Sequence, residues 1–389
     1  MTRIEEIQAE LCARSIDGWL FCDNHHRDAS AYRILGLPES LMVSRRWFYL
    51  IPAHGEPVKL SHKIEPFPLD SLPGNKRIYA SRQEFVDQLR EMLSSVHNIA
   101  MQFSFGNMLF AVSVVDAGTV DLIRSFGKSI ITSADLLAKF EATCTEDQIR
   151  SHFAARDSID AIMGEVFREI GKRARNGGTS EFEIQQWLVD AFQRENLTMD
   201  SPAIVAVNQN SGIPHYSPAA KDSARIGEGD FVLLDVWGKK NTPDAVYYDI
   251  SWTGYVGSVL PERIQKIFAI VKASRDAGIE KVRAAIAAGE KLYGWEVDKA
   301  ARDVIDADGY GVCLNNRVGH SIGTEVHGNG ANMDNYESRD DREVIPNTFF
   351  SIEPGIYLPE FGLRSEVNML VRPGSAEVTG RIQDEVVLI

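Results

Sequence analysis

The sequence is poor in cysteine, and none of its cysteines has the spacing of a metal or redox site. Cys12, Cys22, Cys144 and Cys313 are the only cysteines among 389 residues, and none belongs to a CxxC or CxH pair. Isolated thiols of this kind are typical of a reducing compartment. Because the N-terminal segment MTRIEEIQAEL carries charges where a signal peptide has an apolar run, we expect a cytoplasmic protein.

Positive charge and long apolar runs are scarce as well. The chain has 41 Lys and Arg against 55 Asp and Glu, which gives a formal net charge of -14. This acidic balance disfavours nucleic acids and anionic membranes as partners, and no stretch approaches the ~20 apolar residues of a membrane span. No glycine-rich phosphate loop follows a predicted strand, so nothing supports a nucleotide role.

Helix and strand signals alternate along the first third of the chain. Apolar residues recur with helical spacing near the N-terminus and in RQEFVDQLREML, while the short apolar runs WLFC, WFYLIP and NIAMQF predict strands. The pattern changes near Thr143–Thr145. We therefore predict an α/β domain over residues 1–142 and a second domain over residues 143–389.

The second domain shows the same order of elements twice. A long helix is predicted from Thr145 to about Ala174, and another begins at Ser180, where Glu183 completes a capping box. Strand-like segments follow at AIVAVN and DFVLLDVW. Two helices and then strands recur after Pro261, with TFFSIE, GLRSEVNMLV and DEVVLI as the strand-like segments. Tandem halves of this kind predict a cleft between them.

Five side chains with metal-binding chemistry lie on segments that otherwise predict buried strands or a tight turn. They are Asp235, Asp249, His320, Glu353 and Glu366. A carboxylate inside an apolar strand is costly unless a cation neutralises it. Hard divalent cations prefer oxygen donors, and Mn, Co, Fe and Zn also accept imidazole. Two adjacent cations need bridging carboxylates, so the ordered set predicts a two-metal site.

Each member of this set also has an ordinary structural interpretation. An aspartate that ends a strand, such as Asp235, is usually a turn residue or a helix cap. A glutamate in an apolar strand is commonly paired with arginine, and Arg364 is a ready partner for Glu366. A histidine beside glycines, such as His320, is usually a loop residue. The metal site is indicated by the whole set and by no single member of it.

In order and in local sequence these residues resemble the M24 metallopeptidases, which include methionine aminopeptidase, aminopeptidase P and prolidase. GHSIGTEVHG (319–328), SIEPGIY (351–357) and LRSEV (363–367) are similar to the GHGIG-x-x-x-H, EPGxY and R-x-E motifs of the aminopeptidase P and prolidase branch. NQNSGIPHYSP (208–218) resembles the segment that supplies an outer histidine. The resemblance covers residues 145–389, and the first third resembles more loosely the creatinase-type N-terminal domain.

The resemblance implies an α/β (α+β) fold in which a smaller creatinase-like domain precedes a pita-bread catalytic domain with its metals in the cleft. It implies that Asp235 binds one metal through both oxygens and that Asp249 and Glu366 bridge. His320 and Glu353 would complete the second metal site. Two such cations supply a shared hydroxide at neutral pH, and Glu353 is the candidate to shuttle its proton.

Four further residues have expected roles through the resemblance. His215 and His327 would contact the scissile carbonyl oxygen or the leaving nitrogen and stabilise the developing charge. Arg364 would orient one of the two bridging carboxylates. Tyr357 would pack against the metal carboxylates, with plain core packing as its ordinary interpretation. A carboxylate-rich set with one histidine favours Mn, with Co, Fe or Zn as alternatives, and the resemblance suggests a homodimer.

The sequence departs from the family pattern at several positions. The gap from Asp235 to Asp249 is longer than usual, with GKKNTPDAVYY inside it. Asp244 lies in this insert and is interpreted as a hairpin-turn residue, with an additional ligand as the alternative. Ser321 replaces the usual glycine, and Gly328 follows the second histidine of its motif. These changes leave the metal set intact and weaken any inference about the substrate.

Three functions remain open at this point. The first is a metallopeptidase that cleaves Xaa-Pro bonds in dipeptides or at peptide N-termini. The second is a metal-dependent hydrolase or lyase that acts on a small non-peptide metabolite. The third is a non-catalytic peptide-binding module on the same fold. Members that work without metal, or that only bind, lack most of the ligands, whereas this chain has all five, which favours an enzyme with a peptide or small-molecule substrate.

Overall fold

The computed structural model describes every residue from Met1 to Ile389, and the chain divides into two units, Met1–Glu141 and Ala142–Ile389. All four cysteines are free thiols. None of the helices combines the length and the apolar character that crossing a membrane requires.

The first unit is built on one mixed sheet. Its helices are α1 (Arg3–Ala13), α2 (Ala29–Leu35), α3 (Arg82–Met92), α4 (Ala117–Ser125) and α5 (Ala134–Leu137). Its strands are β1 (Gly18–Asp23), β2 (Trp47–Pro52), β3 (Val58–His62), β4 (Asn75–Tyr79), β5 (Asn98–Met101) and β6 (Ser129–Thr132). The strands lie in the order β4-β3-β2-β1-β5-β6.

Both faces of this sheet are covered. On β1 and β2, Trp19, Phe21 and Tyr49 belong to one apolar cluster, and Leu20 and Phe48 belong to another. Successive residues of a strand point to opposite faces, so each strand contributes to both clusters. This is why WFYLIP is a continuous apolar run and does not alternate with polar residues.

The second unit contains four α-helices and thirteen strands. The helices are α6 (Glu146–Arg175), α7 (Glu181–Arg194), α8 (Glu262–Ala288) and α9 (Gly294–Ala307). The strands are β7 (Thr179–Ser180), β8 (Leu197–Thr198), β9 (Ile204–Val207), β10 (Arg225–Ile226), β11 (Phe231–Lys240), β12 (Tyr248–Tyr255), β13 (Ser321–Ile322), β14 (Thr348–Ile352), β15 (Gly355–Tyr357), β16 (Gly362–Arg364), β17 (Val367–Arg372), β18 (Ser375–Val378) and β19 (Val387–Leu388). The two larger sheets have the orders β19-β12-β11-β8, with β9 also on β11, and β13-β14-β17-β18.

Each helix pair of the second unit packs on an apolar cluster of its own. Ile159 of α6 lies in one cluster with Leu234 of β11. Ile267 of α8 lies in the other with Phe350 of β14, and Leu233 of β11 joins it. Because neighbouring residues of β11 enter different clusters, this strand is shared by the two halves, and its polar residues lie where the halves meet.

The predicted elements agree with the structure in most places and differ in a few. GLRSEVNMLV was expected to form one strand, which is wrong, because β16 ends at Arg364 and β17 begins at Val367. Glu366 lies in this break. The edge strand β4 and the strand β18 were not predicted, because most of their residues are exposed and lack an apolar pattern.

Candidate metal centre

The hairpin of β11 and β12 carries the two aspartates. In its antiparallel register Asp235 pairs with Ser251 and Trp237 pairs with Asp249, so both carboxylates lie on one face of the hairpin. Asp244 lies exposed in the connection between the strands, with a φ of 57°. The additional residues of the long gap are therefore outside the paired segment and do not change its register.

His320 and Glu353 lie next to each other because their chain segments pair through the backbone. The Glu353 N–H donates to the Val318 carbonyl at 2.7 Å, and the Ser351 N–H donates to the His320 carbonyl at 2.8 Å. Ser351 Oγ accepts the His320 N–H at 2.9 Å and donates to Glu353 Oε1 at 3.1 Å. A Cβ on Gly319 would lie 2.0 Å from the Ser351 carbonyl oxygen, so only glycine permits this approach.

The imidazole of His320 has an orientation that suits a metal ligand. Its Nδ1 donates to the Ser321 carbonyl at 3.1 Å, which leaves Nε2 with the free lone pair. Nε2 lies 3.5 Å from Asp249 Oδ2 and 3.4 Å from Glu353 Oε1. Burial lowers the pKa of His320, although the charge of Glu353 acts in the opposite direction, so the neutral, ligand-competent ring is favoured.

Glu366 enters the cluster from the break between β16 and β17. Its N–H donates to the Ser251 carbonyl at 3.2 Å, and Ser251 Oγ lies 2.8 Å from its Oε2. Asn368, two residues further on, accepts the Asp249 N–H at 2.9 Å and donates to the Asp249 carbonyl at 2.6 Å. As a result, side-chain ligand atoms of Asp249, His320 and Glu366 all lie within 4.8 Å of one another.

Arg364 contacts Asp235 directly. Its Nη2 donates to Asp235 Oδ2, and its Nε donates to Ser251 Oγ at 2.9 Å. The Ser251 hydroxyl lies between the guanidinium and Glu366, so the expected role of Arg364 in orienting Glu366 or Asp249 would act through Ser251 and stays a prediction. Ser251 Oγ also lies 2.9 Å from Asp235 Oδ1, so this hydroxyl joins the arginine to two carboxylates.

Sequence reasoning missed Ser251 and Asn368. Each follows a predicted ligand by two residues: Ser251 follows Asp249, and Asn368 follows Glu366. On a strand, as for Asp249 and Ser251 on β12, this spacing returns a side chain to the same face. A polar residue two positions after a ligand, within an otherwise apolar run, was therefore the signal that could have identified both.

The group formed by Asp249, His320 and Glu366 fits divalent metal ions. Asp249 Oδ1 and Glu366 Oε1 are buried and have no hydrogen-bond partner. Burial and the charge of Glu353 raise the pKa of Asp249 well above its usual value, and burial and the charge of Asp249 do the same for Glu366. Burial raises the pKa of Asp235 to about 7, although Arg364 opposes this. Both oxygens of Asp235 have hydrogen-bond partners, so cations would supply bonds to the free oxygens of Asp249 and Glu366 and positive charge to all three carboxylates.

Three of the expected outer residues surround this cluster. The His327 ring lies edge-on to His320, with 4.3 Å between centroids. Partial burial, and then the neighbouring His320, lower the pKa of His327 to about 4. His215 lies in an exposed turn nearby, and its charge also lowers the pKa of His327. The buried Tyr357 accepts a hydrogen bond from Arg364 Nη1 at 3.3 Å, and burial raises its pKa.

A partly buried ion pair on α9, which was not predicted from the sequence, holds the loop that leads to His320. Arg302 Nε lies 2.9 Å from Asp298 Oδ1. The guanidinium donates to the carbonyls of Leu314 (3.2 Å) and Asn316 (2.8 Å), and Asp298 Oδ2 accepts the Val318 N–H at 3.0 Å. An Asp and an Arg four residues apart on a helix were the available signal.

The chain belongs to metallopeptidase family M24. Residues 155–373, which make up more than half of the chain, match the sequence profile of this family. The predicted family is thereby confirmed, and with it the prediction of a metallopeptidase. Divalent metal ions are a property of the family, and the buried Asp249, His320 and Glu366 provide a matching group of ligands.

Named relatives are similar to this chain over part of its length. A Mycoplasma pneumoniae protein named for Xaa-Pro aminopeptidase is 31% identical over 221 residues, which cover 55% of this chain and 58% of that protein. The Xaa-Pro dipeptidase of Pyrococcus horikoshii is 30% identical over 249 residues, which cover 63% of this chain and 64% of the relative. The chain thus spans less than two thirds of either relative's length.

A solved structure matches over nearly the whole of both chains. The crystal structure of prolidase from Thermococcus sibiricus superposes on 100% of this chain and 98% of its own, with a TM-score of 0.63 at 20% identity. This similarity shows the fold. The predicted fold class, an α/β N-terminal domain and a pita-bread domain, is confirmed by it together with the family match.

Proposed function

We propose that this protein is a dinuclear-metal hydrolase that cleaves Xaa-Pro bonds in dipeptides or at the N-termini of peptides. One observation carries the proposal: in the buried carboxylate cluster, Asp249 and Glu366 each keep an oxygen without a hydrogen-bond partner beside the free Nε2 of His320. Membership of a metallopeptidase family gives the reaction class, and the names of the two relatives support the Xaa-Pro specificity.

We assign the ligands as the five residues of the ordered set, with Asp249 and Glu366 in the bridging positions. The others are Asp235, His320 and Glu353. When bound, two divalent cations supply hydroxide at neutral pH and polarise the scissile carbonyl. Manganese suits a set of four carboxylates and one imidazole best, with Co, Fe and Zn as alternatives.

Glu353 is the group that moves the proton in this proposal. It is half-buried, whereas Asp235, Asp249 and Glu366 are buried, so a substrate can approach it. Its Oε1 accepts a hydrogen bond from Ser351 at 3.1 Å, which fixes the carboxylate. It would accept a proton from the attacking water and pass it to the leaving proline nitrogen.

Other side chains stabilise charge or keep the ligands in place. The neutral His327 and the exposed His215 would donate hydrogen bonds to the scissile carbonyl oxygen or hold the leaving nitrogen. Arg364 opposes protonation of Asp235 and orients it, directly and through Ser251. Tyr357 accepts a hydrogen bond from Arg364 and would hold that arginine in turn.

Further features of the protein belong to the same proposal. We take residues 1–142 as the N-terminal domain and residues 143–389 as the catalytic domain. The substrate is a peptide, and the protein acts as a homodimer in the cytoplasm. The four free cysteines are compatible with that compartment.

The experiment that tests this function measures release of proline or of the N-terminal amino acid by the metal-loaded protein. The substrates are Ala-Pro, Ala-Pro-Ala, Ala-Ala and N-acetyl-Ala-Pro. We expect turnover of the first two and little turnover of Ala-Ala or of the blocked dipeptide. Metal binding without turnover of either proline substrate would contradict the proposal and favour a small non-peptide substrate.

A further inference from the structure

An indole lies directly beside the proposed metal ligands. Trp237 is the cross-strand partner of Asp249 and follows Asp235 by two residues, so the three side chains share one face of the β11–β12 hairpin. Trp237 is half-buried and packs against two apolar clusters of this unit. Its ring therefore extends the wall of the metal site away from the carboxylates.

The far edge of this indole ends at an exposed carboxylate. Trp237 Nε1 donates to Asp200 Oδ1 at 2.6 Å. The Ser201 hydroxyl donates to the same oxygen at 3.4 Å. Both side-chain donors therefore bond to Oδ1 of Asp200.

A second aromatic ring lies in the same region. The buried Tyr247 lies beside the backbone of Asp200, and Lys239 Nζ lies 5.0 Å from the centroid of its ring. An aromatic face beside a carboxylate is the chemistry that recognises an organic cation.

We propose that Asp200 and Trp237 form a specificity subsite for a positively charged side chain on the residue that precedes the scissile bond. The indole lies between Asp200 and the metal ligands. The α-ammonium of the substrate is next to the scissile carbonyl, so it stays near the ligands. A lysine or arginine side chain is long enough to follow the indole face and reach the carboxylate. The inference rests on the proposed peptidase function, and it names the substrate class as Lys-Pro and Arg-Pro bonds.

The test compares kcat/KM for Lys-Pro, Arg-Pro and norleucine-Pro in the metal-loaded protein and two variants. Asp200→Asn removes the charge and keeps a hydrogen-bond acceptor for the indole. Asp244→Asn is the matched control, because it removes an exposed carboxylate from the same region without touching Trp237. We expect Asp200→Asn to lower kcat/KM for the two basic substrates about 10- to 100-fold and to leave norleucine-Pro unchanged. The control should retain the preference within about twofold.

A binding measurement separates failure of this inference from failure of the proposed function. Calorimetry compares lysinamide with norleucinamide, which differ in the side-chain ammonium. Tighter binding of lysinamide that Asp200→Asn abolishes supports the subsite even if no Xaa-Pro bond is cleaved. Equal binding of the two amides, equal kcat/KM for Lys-Pro and norleucine-Pro, or an equal loss on both substrates in Asp200→Asn would overturn it.

Discussion

Asn368 brackets the backbone of Asp249. Its Oδ1 accepts the Asp249 N–H at 2.9 Å and its Nδ2 donates to the Asp249 carbonyl at 2.6 Å. Asn368 belongs to β17, in the second half of the catalytic unit, and Asp249 belongs to β12, in the first. One buried amide thus holds a candidate ligand from each half, Asp249 and the nearby Glu366, at a fixed separation.

Replacing Asn368 with alanine is expected to weaken metal binding. The lost pair of hydrogen bonds should lower metal affinity ~10- to 100-fold and the free energy of unfolding by ~1–3 kcal/mol. Gln383→Ala is the matched control, because Gln383 brackets the N–H and carbonyl of Thr253 on the same strand at 3.0 Å and 2.7 Å. It should cost similar stability and leave metal affinity intact. Metal titration calorimetry with urea unfolding measures both, and equal metal affinity in the two variants would contradict the role of Asn368.

Glu353→Gln tests the proposed proton shuttle. The amide keeps the size of the side chain and an oxygen that can bind a metal, but it cannot accept the proton. We therefore expect kcat to fall by ~10²–10⁴. Circular dichroism and metal content distinguish this loss from unfolding or from loss of the cations. A variant that retains full turnover would refute the role assigned to Glu353.

Arg364 is predicted to stabilise the fold through Asp235. Both groups are buried, and Arg364→Ala would leave the aspartate without its cationic partner, at a cost on the order of 3–5 kcal/mol. The control is Arg263→Ala at the exposed Arg263–Glu360 pair, where less than ~1 kcal/mol is expected. Urea unfolding in the presence of a chelator measures both. Similar values for the two variants would show that the buried pair contributes no more than a surface one.

The candidate site was predictable where its residues lie in local motifs. His320 and Glu353 belong to GHSIG and EPGIY, and the close approach at Gly319 explains why the first motif needs its glycine. Asp235 and Asp249 were found from their positions in apolar strands. The partner of Arg364 could not be predicted, because it depends on the register between distant segments.

The fold was predictable to a similar extent and for similar reasons. Periodicity and capping gave the long helices, and Thr145 with Gln148 and Ser180 with Glu183 both form capping boxes in the structure. The exposed strands β4 and β18 carry no such signal. The break at Glu366 could not be predicted from the residue pattern. A continuous strand and a strand with a functional interruption can have the same composition.

Acidification should destabilise the protein through His152, which lies outside the metal cluster. His152 is fully buried, its ring stacks on Phe349 at 4.1 Å, and it hydrogen-bonds the Tyr247 carbonyl at 2.6 Å and Thr379 Oγ1 at 2.8 Å. Burial lowers the pKa of His152 to about 3. Between that value and the unfolded pKa near ~6.5, mainly the unfolded chain binds the proton, so stability falls as pH falls, by ~2 kcal/mol from pH ~6.5 to ~4.5.

Imidazole NMR signals measure this property of His152 directly. Its chemical shifts should stay constant from pH ~8 to ~4.5. A titration of His152 itself near neutral pH, in the folded protein, would mean that the ring is not held neutral by burial and that the acid sensitivity has another origin.

The central claim is a two-metal hydrolytic centre, and a metal titration of activity tests it most directly. Metal-depleted protein is titrated with Mn²⁺ while proline release from Ala-Pro is followed. The account predicts no turnover without metal and a rise to a plateau at two equivalents per chain. Full activity in the metal-depleted protein, or a plateau at one equivalent that a second does not raise, would contradict it.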